Sequence, residues 1–167
     1  STRIHPEHGY FGGYLVVNHL ARPLEFHCTM PLRPSRAQSL LYGSTIHGFL
    51  CGEQIAKALY DKAKLKPDIL LFDCLAALSF NNVCDAPAIA LADSSLLTNQ
   101  DSNLKIPTEA QPDLLEQDLK GIHFKTLKPD TSVSKIAAQL GTNFDVLEPF
   151  ERVVEAIAEA HPIAKAA

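Results

Sequence analysis

Glu25 and His27 lie two residues apart in the segment LEFHCTM. On a strand that spacing turns both side chains to one face. A carboxylate beside an imidazole on a rigid strand can act as a base or a ligand. Two further carboxylates, Glu53 in the helical run that follows and Asp73 at the end of the apolar run Ile69-Leu70-Leu71-Phe72, complete a candidate catalytic set of Glu25, His27, Glu53 and Asp73. Such a set works only if all four side chains converge on one reacting atom. Arg33 and Arg36, in the loop PLRPSRAQS, are candidates to hold an anion just ahead of that helix. Each has a plainer reading. Glu25 and His27 fit the solvated face of a half-buried strand, Glu53 fits an exposed i,i+4 pair with Lys57, Asp73 fits a strand-end turn, and the arginines fit an ordinary surface.

Other clusters point to less. In His5-Pro6-Glu7-His8 the histidines are three apart with a proline between them, whereas a zinc-protease helix places them at i and i+4; an exposed arm is the better reading. His27 and Cys28 are neighbours on a strand and face opposite ways, and Cys74 and Cys84 lack zinc-finger spacing, so no metal site is expected from them. The segment SVSKIAAQLGTNF has the outline of a helix-turn-helix start. The helix after it carries Asp145, Glu148, Glu151, Glu155 and Glu159 against Arg152 alone, a surface that repels phosphate.

The elements that must position these residues are readable from periodicity. Leu40 to Asp73 is the centre of the chain. Ile46, Phe49, Leu50, Ile55, Ala56, Leu59 and Ala63 recur at helical spacing, with Ser44 or Thr45 as the expected cap and Pro67 as the expected stop. The unbroken run Ile69–Phe72 predicts a strand covered on both faces. Ahead of the helix, 13–18 and 24–30 predict an antiparallel hairpin, with Leu24, Phe26, Cys28 and Met30 on its apolar side. After it, 74–80 predicts a short helix and 86–92 a second buried strand, with a connector that is short for a crossover. An edge strand at 121–127, a short helix over 133–140 ended by Gly141, and a last helix opening at Glu148-Pro149 follow. The expected organisation is one α/β or α+β domain over 1–167. It has an arm (1–12), a core (13–92), a mobile loop (93–118) and a C-terminal strand with helices (119–161). A mixed sheet opened by the hairpin packs on one long central helix.

Composition sets outer limits. Hydrophobic residues make up 46% of 167, enough for a sizeable core, and the formal net charge is −4. Affinity resting on a broad basic surface is therefore excluded. No apolar run approaches the roughly 18 residues of a membrane span, no signal pattern opens the sequence, and the four cysteines form no CxxC pair, so a cytoplasmic protein with reduced thiols is expected.

The order strand, turn, strand, helix, strand resembles the ribonuclease H-like superfamily. Over residues 13–92 the chain is most similar to endonuclease V, through Gly48-Phe49-Leu50, Glu53, Pro67-Asp68 and Asp73. The resemblance implies an acidic cluster holding Mg²⁺ or Mn²⁺ that activates water on a phosphodiester. The first strand reads Leu15-Val16-Val17-Asn18, without the carboxylate which that family carries there. The expectation is therefore a binding or interaction protein on a nuclease-like scaffold without a complete metal site, with Mg²⁺ or Mn²⁺ implied only under the alternative below. Its partner would be an unknown protein or small molecule, with a homodimer possible through the acidic last helix or the hairpin edge. A metal-dependent hydrolase or nuclease using Glu25, His27, Glu53 and Asp73 is the alternative.

Overall fold

The computed structural model of the chain describes residues 1–93, 114–119, 122–127 and 145–161. Strands β1 (Thr2–His5), β2 (Gly9–Val17) and β3 (Pro23–Cys28) make one antiparallel sheet in that order. Strands β4 (Leu70–Phe72), β5 (Ala88–Leu91), β6 (Leu115–Leu119) and β7 (Ile122–Thr126) make a second, in the order β4-β5-β7-β6. Within it β4 and β5 are parallel, and β7 runs antiparallel to both β5 and β6. Helices with one antiparallel and one mixed sheet place the chain in the α/β or α+β class.

The residues expected to form an exposed arm, 1–12, are instead part of the first sheet. Thr2 pairs with Gly12 and His5 with Gly9 around the turn, and Tyr10 and Phe11 are buried. Period-two alternation explains this: Tyr10 and Gly12 face one layer of the core, Phe11 and Gly13 the other. Part of the loop expected over 93–118 is also ordered, since Leu115–Leu119 pairs with Ile122–Thr126. The rest of that loop up to 113, and the expected helix over 133–140, lie outside the described residues.

The central helix starts and stops elsewhere than expected. Ser35 caps α1 (Arg36–Tyr42) through a reciprocal box with Gln38 at 2.8 and 3.1 Å. Gly43, at φ 53°, breaks the chain into a second helical run. Thr45 does not cap it; its hydroxyl donates to the Tyr42 carbonyl at 2.8 Å. The run comprises α2 (Ile46–Gly48), a π-helical segment (Phe49–Ala56) and α3 (Lys57–Lys62). It ends at Lys62 because Ala63 turns extended, before Pro67 is reached. Lys66 then folds back, its ammonium 4.1 Å above the Tyr60 ring.

The π-helical segment packs on a 3₁₀ helix (Leu75–Asn82), where the sequence predicts a short helix. Gly48 and Gly52 permit the approach: a Cβ at Gly48 would lie 2.5 Å from Ser79 Oγ, and one at Gly52 2.7 Å from the Ser79 carbonyl carbon. That 3₁₀ helix is also the crossover that brings β5 back parallel to β4. Helix α4 (Glu148–Ala160) has proline at its start, as expected, and buries Phe150, Val153 and Ile157. The sheets are thus covered on two sides. Tyr10, Leu70 and Phe72 share a cluster with Leu50, Ile55 and Leu59 of the central helix. Ile69 packs with Phe150, and Phe11 with Val153 and Ile157.

Candidate functional site

The candidate residues are brought together only in part. Glu25 and His27 do meet: Glu25 Oε1 lies 2.6 Å from His27 Nε2. The same carboxylate accepts the backbone N–H of Lys64 at 3.0 Å and of Leu65 at 2.9 Å. It therefore pins β3 to the loop that follows the central helix. Those two backbone donors, and then the His27 ring, hold the Glu25 carboxyl down at about 2.

Asp73 does lie in the bend that ends β4, but it is not a solvated turn residue. It is 1% exposed and lies between the two sheets. Its Oδ1 accepts the Thr2 N–H at 3.0 Å, and its Oδ2 pairs with the Arg3 guanidinium. Burial alone would raise the Asp73 pKa. The Ser1 amino group, Arg3 and the Thr2 N–H outweigh that and keep the carboxyl below its usual value. Glu53 has a third set of partners, accepting from Asn82 Nδ2 at 3.0 Å. The expected i,i+4 partner, Lys57, pairs forward with Asp61 at 2.5 Å. Arg33 and Arg36 are exposed on the loop and the first turn of α1.

These contacts decide how well a Mg²⁺ or Mn²⁺ would fit. Such an ion needs carboxylate oxygens free to face it. Both Asp73 oxygens are taken by donors, a guanidinium among them, and both Glu25 oxygens accept N–H groups. Among the described residues no group of three or more His, Cys, Asp or Glu side chains is placed to share an ion. The residues present do not fit the ion the resemblance implies.

Periodicity misses two further polar contacts. Tyr10 Oη and His47 Nδ1 are 2.8 Å apart. Burial pushes the Tyr10 hydroxyl up to about 12 and lowers His47, so the pair is a neutral hydrogen bond. Arg3, the partner of Asp73, sits 70 residues away in sequence, and no local pattern could have paired them.

The clearest departure is in β3. Leu24, Phe26 and Met30, expected to face the core, are 55%, 38% and 77% exposed. Glu25 and His27, expected on the wet side, are the more covered, because they brace the loop at Lys64. β3 is the outer strand of its sheet, and the Tyr14–His27 and Val16–Glu25 pairing leaves the backbone groups of Phe26 and Cys28 pointing outward. Leu40 and Leu41 of α1 are also exposed. No disulfide joins the four cysteines, and among the described residues no helix is long and apolar enough to cross a membrane. No family model, curated protein or solved structure matches the chain.

Proposed function

We propose that the protein is a binding or interaction protein on a nuclease-like scaffold, and that β3 is its docking edge. The observation that carries the reading is the inversion of β3. Its apolar side chains lie in water while its charged ones are tied down, and among the described residues no strand lies beside its outer backbone groups. An apolar strip on an open edge is a template for strand pairing. The occupant we assign to it is a second copy of the chain, paired antiparallel across a two-fold axis. Such a pairing sets Leu24 and Phe26 against the same residues of the partner, and Glu25 adds no like-charge contact because its carboxylate is turned away and held by Lys64 and Leu65. The ribonuclease H-like part of the reading rests on the element order alone: three antiparallel strands, a helix, then two parallel strands.

Sedimentation from micromolar to near-millimolar protein tests the reading. A monomer–dimer equilibrium that Leu24→Lys and Phe26→Lys each shift at least tenfold toward monomer supports it. A parent that stays monomeric throughout, or a dimer that ignores both substitutions, overturns it.

A further inference from the structure

A cavity of about 550 Å³ lies between the two sheets, walled by β2 beyond Gly13, by Ile69–Phe72, by Ile55 and Leu59 of the central helix, and by Phe150 and Val153 of α4. Its walls have the spacing and direction of a missing strand. Ser1 and Gly13 exchange both backbone hydrogen bonds at 2.9 Å. By the antiparallel alternation, Leu15 and Val17 turn their N–H and C=O groups to the same side as Gly13, into the cavity. On the opposite wall Leu70 donates to Pro87 at 2.8 Å, toward β5. Ile69 and Leu71 therefore direct theirs the other way, into the cavity again. Two backbone edges thus face each other across it. β1 reaches the near end of the gap, where Thr2 turns its N–H toward Asp73, just past the end of β4.

We propose that this cavity is a strand slot, filled by an apolar polypeptide segment that leads into Ser1 in line with β1. Extending the register of β1 places the residue before Ser1 opposite Tyr14 and its predecessors opposite Leu15, Val16 and Val17 in turn. The segment runs antiparallel to β2 and parallel to β4, and it joins the sheets as β3-β2-β1-β4-β5-β7-β6. The size agrees. A strand residue takes about 3.3 Å along the chain, about 4.8 Å across the sheet and about 10 Å between packed layers, roughly 160 Å³, so 550 Å³ is room for at least three residues. The chemistry agrees as well. One face of the slot meets Ile55 and Leu59 and the other meets Phe150 and Val153, so the occupant is apolar on both faces, as a doubly covered strand is. The proposal goes beyond the β3 reading and does not depend on it.

The test compares amide hydrogen exchange in the chain extended before Ser1 by Lys-Lys-Val-Ile-Val-Val with the chain extended by Lys-Lys-Gly-Ser-Gly-Ser. The apolar extension is expected to slow exchange at Leu15, Val17, Ile69 and Leu71 at least tenfold and to raise the melting temperature, and the polar one to do neither. Should the apolar extension lower solubility, Lys-Lys-Thr-Val-Thr-Val carries the same expectation. Equal exchange with apolar and polar extensions overturns the proposal. So does protection that the free acetylated Lys-Lys-Val-Ile-Val-Val peptide confers equally in trans, since the occupant is then a separate peptide. Protection in the unextended chain that grows with protein concentration overturns it in favour of a second copy.

Discussion

Asp73 and Glu25 are both carboxylates held below their usual pKa, by opposite means. Asp73 sits between the sheets, where desolvation opposes its charge and the Arg3 guanidinium and the Thr2 N–H help restore it. Glu25 lies at the surface, where two backbone N–H groups and a histidine favour the charge with little desolvation to overcome. The difference teaches what a depressed pKa reports. In one place it marks a structural clasp whose loss leaves a charge stranded. In the other it marks a brace between a strand and a loop, whose loss strands no buried charge. Neither marks a catalytic group by itself, although both residues stood out for that role by type and position.

The comparison is broken most forcefully at Asp73. Removing one partner of a buried ion pair leaves the other uncompensated, typically at about 3–5 kcal/mol. Asp73→Ala is therefore expected to lower the unfolding free energy by about that amount in chemical denaturation. A loss close to that of an ordinary surface substitution would mean that Asp73 is no clasp.

A second test uses pH. Glu25 has a folded pKa of about 2 against an ordinary 4.5. A depressed carboxylate contributes stability that is present above the unfolded value and lost as pH falls through the folded one. Between about pH 4.5 and pH 2 the parent should therefore lose stability that Glu25→Gln does not have to lose. Denaturation curves for the two proteins should converge across that window, and curves that stay parallel would remove Glu25 from the account.

The smallest effect is expected at His27. His27→Ala leaves the Lys64 and Leu65 bonds to Glu25 intact, so it should cost less than Glu25→Gln at pH 7 and shift the acid limb only slightly. A histidine variant worse than the glutamine one would place the weight of the brace on the side-chain pair.

Much of the fold was readable in the chain, and the gaps have physical causes. Ile69–Phe72 and 86–92 read as buried strands because an unbroken apolar run can be satisfied only with cover on both faces. The last helix read well because Pro149 and the Phe150-Val153-Ile157 spacing agree. The arm at 1–12 was misread because histidines, glycines and a proline have weak strand propensity, and the pairing that overrides it comes from the rest of β2. The faces of β3 were assigned by polarity, and polarity failed there because the loop at Lys64 offered two N–H groups that bind Glu25 better than water does. Of the candidate site, the Glu25–His27 pair was legible from its spacing of two. The Asp73–Arg3 pair was not, since nothing local connects a residue in the first strand with one at the end of the fourth.

That separation has a kinetic side. The Thr2–Asp73 bond closes a loop of 71 residues, and closing a loop of that length costs about 4 kcal/mol of chain entropy. One clasp cannot repay this in an open chain. It forms once the hairpin, the helix and β4 have already shortened the path between its ends. Contacts that form after the folding barrier is crossed contribute little to the rate of folding and much to the rate of unfolding. Asp73→Ala is thereby expected to speed unfolding and to leave the folding rate nearly unchanged, which stopped-flow kinetics would check.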